Sequence, residues 1–449
     1  MVVVSERQTW SLLQGGQCNE YTVAYINARI IDPASGTDYK GYLLTRGKEI
    51  LDFGPGFFDP NGAAFAASEV VDCNGHVLMP GIVDLHVHLR EPGGEHKETV
   101  DTGSRAAAAG GVTTVVCQPN TIPRLENVLV AKYLKMRALE SSCVNIEFYG
   151  AVTKSDGELC DMASLKDAGA LGFTDDGLPV MNALYMKRAF EYAQDLDVVV
   201  AQHAEDCNLS DGGCINEGLV SRELGLKGIP DISESIMVSR DIQLLREVPG
   251  AHYHVLHIST KKALDIVRAA KREGLRVTCE VTPHHFLLNE SAVLEHGTMA
   301  KMNPPLRTEE DRLSMISGLE DGTIDCIATD HAPHAAQEKT RPISCCAFGI
   351  VGLETLLPLS LELYHNAGMS LMDVLSKLTS KPAEIVRLPR GKIAKGLVAD
   401  LVIFDLEHVW TIDTAKFSSK SKNSPFQGRK VKGKVLRTVV SGKTVYRAE

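Results

Sequence analysis

The chain has no apolar run near the roughly 18 residues that a membrane-spanning helix needs. Its first residues, MVVVSERQTWSLL, lack a basic start followed by a long apolar core, so no secretory leader is expected and the cytoplasm is the expected compartment. No Cys-x-x-Cys pair occurs: eleven cysteines are scattered, and only Cys345 and Cys346 are adjacent. That pattern suits free thiols better than a disulfide framework or a zinc finger. Excess basic charge is missing too, with 57 acidic against 47 basic residues and a net charge of −10. Apart from the tail between Lys416 and Lys434 there is no Lys/Arg-rich block, which argues against a nucleic-acid surface. Internal repeats and low-complexity tracts are also absent.

Core material is plentiful. The 449 residues are 44% hydrophobic and 23% charged, the balance of a globular protein rather than a disordered one. Length alone allows roughly two or three domains, and a barrel of about 250 residues could take most of it. Between about 80 and 370, short β-branched runs alternate with segments at helical spacing, the pattern of a parallel sheet wound with helices. Eight runs stand out: GIVDLHVH (81–88), VTTVVCQ (112–118), NIEFYGAV (145–152), GALGFTD (169–175), DVVVAQH (197–203), HYHVLHI (252–258), RVTCEV (276–281) and IDCIATD (324–330). Helices are expected after them, at 97–109, 125–141, 158–168, 181–195, 232–247, 261–273, 309–320 and 351–365. Eight repeats fit a closed (β/α)8 barrel. Both flanks read as short strands, so residues 1–78 and 386–449 are expected to pair into one small β-sandwich around a catalytic barrel at 79–385.

Polar residues gather at the ends of these strands. His86 and His88 are two apart at the end of the first run, so their side chains share a face. Asn120 ends the second run, Asp175 and Asp176 the fourth, His203 the fifth, His257 the sixth and Asp330 the eighth. All are C-terminal strand ends, where barrels of this type build active sites. Packed core histidines would have no reason to choose that end each time. Four histidines and two aspartates make a nitrogen and oxygen set suited to zinc. Six ligands exceed what one tetrahedral ion with an open position uses, which points to two ions sharing a carboxylate and a water. Asp330 then has a second task as proton shuttle.

Taken in order, PGIVDLHVHLREPG, CQPNT, FTDDG, AQHAED, HYHVLHIST, VTPHHFLL, KMNPPLR, DGTIDCIATDHAPH and AFGIVGLE resemble the class I dihydroorotases of the amidohydrolase superfamily. The resemblance covers nearly the whole chain. It implies a barrel with a composite β-sandwich, and the reversible interconversion of dihydroorotate and N-carbamoyl-aspartate in pyrimidine synthesis. It makes His86, His88, Asp176, His203, His257 and Asp330 the zinc ligands, with Asp330 also the acid and base. Substrate contacts carried over are Arg90, Asn120, Asn303 and His334, with the backbone at Phe348 and Gly349. Chemistry supports Arg90, whose planar guanidinium can grip a carboxylate in an otherwise acidic protein. The resemblance also implies a homodimer and, as a candidate partner, an aspartate transcarbamoylase.

Relatives such as the hydantoinases bridge their metals with a carboxylated lysine at the end of strand four. Here FTDDG offers aspartates, so the second zinc is expected to be held less firmly. CCAFGI departs from the Pro-containing form of its loop, and His284 and His285 read as supporting residues. Two other functions fit the same pattern. One is a different cyclic amidase, a hydantoinase, dihydropyrimidinase or allantoinase; Arg90 and the strand-four aspartates weigh against it. The other is a non-catalytic partner of aspartate transcarbamoylase, which the full ligand set argues against.

Overall fold

The computed structural model describes residues 21–60 and 67–448, so the expectations placed on residues 1–20 fall outside it. Five strands come first: β1 (Thr22–Asp32), β2 (Thr37–Arg46), β3 (Glu49–Pro55), β4 (Glu69–Asp72) and β5 (Val77–Pro80). The central strands are β6 (Ile82–Val87), β7 (Val112–Cys117), β8 (Asn145–Phe148), β9 (Gly172–Phe173) and β10 (Val199–Gln202). After a short ribbon of β11 (Ile215–Asn216) and β12 (Gly228–Ile229) come β13 (His252–Val255), β14 (Val277–Val281) and β15 (Cys326–Ile327). The chain closes with β16 (Leu401–Thr411), β17 (Lys430–Val440) and β18 (Lys443–Arg447).

All eight expected central strands form, each within its expected segment. They pair in parallel in the orders β6-β7-β8 and β9-β10-β13-β14-β15. Bridges between Gly150 and Phe173, and between Val87 and His331, link the two sets at both ends. Several strands are shorter than their apolar runs. In the fourth, only Gly172–Phe173 is strand; the Thr174 N–H still bonds the Gly150 carbonyl at 3.0 Å, and Asp175 and Asp176 follow outside the ladder.

A helix follows each central strand: Val100–Ala109, Val128–Ser141, Met162–Asp167, Ala183–Leu196, Ile232–Glu247, Lys261–Arg272, Glu309–Glu320 and Leu356–His365. Several begin later than their apolar periodicity suggests, and side-chain caps explain where. Thr99, Asn127, Asp161 and Asn182 each accept hydrogen bonds from the first-turn N–H groups, so the helix starts just after them. The sixth helix buries Ala263, Leu264, Val267 and Ala270, one stripe at helical spacing that faces the strands.

The two flanks meet in one eight-stranded sheet, ordered β18-β17-β16-β5-β1-β2-β3 with β4 also paired to β1. Its join is antiparallel pairing of β5 with β16, from Leu401 opposite Pro80 to Phe404 opposite Val77. One face encloses a cluster that includes Tyr25, Ile30, Leu43, Ile50, Leu401 and Val439. Val402, Phe404 and Val435 on the other face join the core around the central strands. The sheet is thereby fixed to the helical layer.

Beneath the C-terminal strand ends, Asp84 ties the first central strand to the last. Its buried carboxylate accepts from the Thr329 N–H at 3.1 Å, the Thr329 hydroxyl at 2.6 Å and the His86 N–H at 3.2 Å. Thr329→Val removes one donor from a buried carboxylate and should lower stability by about 1–3 kcal/mol. Urea unfolding reads this directly. An unchanged midpoint would show that the tie carries no energy.

Candidate active site

The first strand ends on His86 and His88, and their Nε2 atoms point the same way, as the period-two alternation of a strand requires. His86 Nε2 lies 3.2 Å from Asp176 Oδ2 and 3.5 Å from Asp330 Oδ1. His88 Nε2 lies 3.1 Å from Asp330 Oδ1 and 3.4 Å from Asp176 Oδ2. From the opposite side, His203 Nδ1 and His257 Nε2 each lie 3.4 Å from Asp176 Oδ1 and 2.9 Å from one another. Asp176 therefore stands between two histidine pairs, one facing each of its oxygens. All six side chains are buried.

These separations fit shared ions. Two donors about 2.1 Å from one ion, at angles of about 90–110°, lie about 3.0–3.4 Å apart. Among the described residues, His86, Asp176 and His257 form one convergent group and His86, His88 and Asp330 another. Asp176 Oδ1 is buried and has no hydrogen-bond partner, which fits a group able to ligate a cation.

Three of the four histidines are held from behind, while His257 Nδ1 is buried without a hydrogen-bond partner. Glu280 Oε1 accepts from His86 Nδ1 at 2.7 Å. The Asn120 side-chain oxygen accepts from His88 Nδ1 at 2.9 Å. His203 Nε2 donates to Glu205 Oε2 at 2.9 Å, and the Asn303 amide reaches the same carboxylate at 2.7 Å. Such outer partners fix the ring tautomer and turn the free nitrogen toward the site. Asn120 and Asn303, expected as substrate contacts, thus also hold histidines while lining the pocket.

Electrostatics favour a positive charge here. Burial works against charge on His86, but Asp176 and Asp330 outweigh it and hold its pKa well above the ordinary value. Burial also opposes charge on His203, yet Asp176 and Glu205 raise it to about 10. Burial alone would raise Asp176, but His86, His203 and His257 hold it well below the usual carboxylate range. Divalent ions would answer the same field and release the imidazole protons.

The pocket above the cluster has a volume of about 220 Å³ and is lined by His88, Arg90, Asn120, Asp176, His203, His257, Asn303, Asp330, His334, Phe348 and Gly349, among others. Every expected substrate contact reaches it. Arg90 donates to the Pro333 carbonyl at 3.2 Å and to His334 Nε2 at 3.4 Å. Its acidic neighbours are taken elsewhere: Glu91 pairs with Arg137, and Glu95 accepts from the Gly93 N–H. No ion pair involves Arg90 among the described residues. Gly349 adopts a φ of +115°, and a Cβ there would meet the Ala332 Cβ at 2.5 Å, so only glycine fits this rim.

Two carboxylates of the site escaped the sequence reading. Glu280 is the one acidic residue in the run RVTCEV, and an unexplained charge in a buried strand is the signal that marks it. Glu205 follows His203 by two residues in AQHAED. Behind them, His254 Nε2 lies 3.2 Å from Glu280 Oε2, and His285 bonds the Thr282 hydroxyl and the Pro304 carbonyl.

Asp175 points away from the cluster. It accepts from the N–H groups of Val152 and Thr153, from the Thr153 hydroxyl and from Arg124. Asp176→Ala should therefore lower bound metal and activity together. Asp175→Ala should chiefly cost stability, by about 1–3 kcal/mol. Elemental analysis of the two purified variants separates the roles, and metal loss confined to Asp175→Ala would reverse them.

Known proteins resemble the chain along nearly its full length. A family described as Dihydro-orotase-like matches residues 75–263. The dihydroorotase of Ehrlichia chaffeensis is 64% identical, covering 99% of this chain and 99% of its own. That of Pelobacter propionicus is 45% identical, covering 94% of this chain and 98% of its own. Among solved structures, the L-hydantoinase (dihydropyrimidinase) from Arthrobacter aurescens superposes with a TM-score of 0.85 at 25% identity, over 95% of this chain and 96% of that one. With such likeness along almost its full length, the chain belongs to the dihydroorotase family.

Proposed function

We propose that the chain opens and closes the ring of dihydroorotate, giving N-carbamoyl-aspartate, at two zinc ions held by His86, His88, Asp176, His203, His257 and Asp330. The observation that carries the substrate is Arg90: a partly buried guanidinium without an acidic partner, in the same pocket as the convergent ligand set. A carboxylate on the substrate would complete it, and a hydantoin or allantoin ring offers none. Support for two ions comes from Asp176, whose oxygens face different histidine pairs.

The ions, when bound, lower the pKa of water toward about 7 and polarise the carbonyl under attack. Asp330 supplies the proton traffic. Burial raises its pKa, but His86 and His88 more than offset this and keep it ionised; in the proposed reaction that ionised form, placed beside the water site, accepts the proton of the attacking water. The ring C–N bond breaks, and Asp330 returns that proton to the departing nitrogen. Arg90 and Asn303 hold the substrate, while His334 and the Phe348–Gly349 backbone border it.

The same reading takes the central strands as a closed (β/α)8 barrel at 79–385, supported by the bridges at Gly150–Phe173 and Val87–His331. It takes the flanks as a composite sandwich, supported by the apolar cluster that the outer sheet encloses. A cytoplasmic setting is supported by the scattered cysteines, while a homodimer and an aspartate transcarbamoylase partner rest on family resemblance. No helix among the described residues is long and apolar enough to cross a membrane.

Ring opening produces a second carboxylate and releases a proton, so rising pH should favour hydrolysis and mildly acid pH should favour ring closure. A spectrophotometric assay of the zinc-loaded protein checks both directions. Faster turnover of hydantoin or allantoin than of dihydroorotate would refute the assignment. Arg90→Met should reduce turnover of dihydroorotate by roughly a hundredfold, the loss of a charge-assisted bidentate pair. It should spare an analogue without the carboxylate. Equal loss on both substrates would make Arg90 a structural residue.

A further inference from the structure

Two lysines close to the pocket are almost fully buried and have no acidic partner. Lys301 is 2% exposed and Lys339 is 1% exposed, and neither forms an ion pair among the described residues. Burying an ammonium group is costly unless polar groups replace its water. Here backbone carbonyls replace it. Lys339 Nζ donates to the carbonyls of Lys301 at 3.1 Å, Ala347 at 2.9 Å and Gly349 at 3.1 Å, which uses all three of its donors. Lys301 Nζ donates to Cys346 at 2.8 Å and lies 4.1 Å from the centre of the Phe348 ring, within cation–π range. Burial pulls Lys339 down to about 8, so it is still mostly charged at neutral pH.

A third group completes the arrangement from the C-terminal flank. Asn423 is buried, and its amide donates to the carbonyls of Ala332 and Gly349, both at 3.0 Å. Its side-chain oxygen accepts from the His334 N–H at 3.1 Å. Gly349 O thus receives both Lys339 and Asn423, while the Gly349 N–H donates to Lys301 O at 3.0 Å. Every polar group at this rim glycine is bound by one of three residues that do not themselves line the pocket.

We propose that Lys301, Lys339 and Asn423 form a clamp that sets the Phe348–Gly349 rim and His334 against the substrate. They are positioning residues, and the two buried ammonium groups add a positive potential behind the rim that favours an anionic ligand. Through Asn423 the C-terminal flank takes part in substrate binding, beyond its role in covering the core. The substrate part of this inference rests on the proposed function, whereas the rim geometry does not.

The test uses Lys339→Met and Asn423→Asp in the full, zinc-loaded chain. Hydrogen–deuterium exchange without substrate should be at least about tenfold faster at Gly349 in both variants, and at Ala347 in Lys339→Met, the effect of losing a charged or paired donor. KM for dihydroorotate should rise about tenfold, with kcat changed less than about threefold and metal content unaltered. Should Lys339→Met fail to fold, Asn423→Asp carries both readouts. Unchanged exchange at the rim overturns the clamp. Loss of metal together with kcat also overturns it, because the residues would then act through the ligands. A native protein inactive on dihydroorotate defeats the functional reading alone, since the exchange result still decides the clamp.

Discussion

The burial of Asp176 between two histidine pairs is the constraint on which the site depends. A carboxylate removed from water needs compensating positive charge, and one oxygen here faces His86 and His88 while the other faces His203 and His257. In the protein alone the raised pKa values of His86 and His203 answer that need, and in the proposed enzyme two zinc ions would. Glu280, Asn120 and Glu205 serve the same end by turning the histidine nitrogens inward. The Asp84–Thr329 tie holds the strands that carry His86 and Asp330 in register.

Much of this was legible because strand ends concentrate the signal. Period-two spacing placed His86 and His88 on one face, and the same end of the other strands carried Asn120, Asp176, His203, His257 and Asp330. The choice between Asp175 and Asp176 needed family resemblance, and the structure gives its physical reason: Asp175 is occupied by Val152, Thr153 and Arg124. Strand lengths were less legible. Apolar runs continue past the ladder wherever the chain turns to deliver a side chain, as it does after Phe173.

What sequence could not supply was partnership across long separations. Glu280 is one acidic residue in an apolar strand, and nothing local says that it meets His86. Lys301 opens the motif KMNPPLR, and Lys339 and Asn423 lie in two other segments; nothing in their spacing says that the three meet. Only the fold brings the Lys339 and Asn423 donors to one carbonyl, that of Gly349, with the Lys301 ammonium on the Cys346 carbonyl beside them. Pairing of the two flanks was expected, but its register at β5–β16 and the contact of the tail with the pocket rim through Asn423 came only with the fold.

The most direct test of the bridging role of Asp176 is X-ray absorption at the zinc edge on protein titrated with zinc after chelation. The account predicts that two equivalents bind, with nitrogen and oxygen neighbours only and a zinc–zinc scattering path at about 3.5–4 Å. One equivalent with no metal–metal path, or a sulfur neighbour, would contradict it.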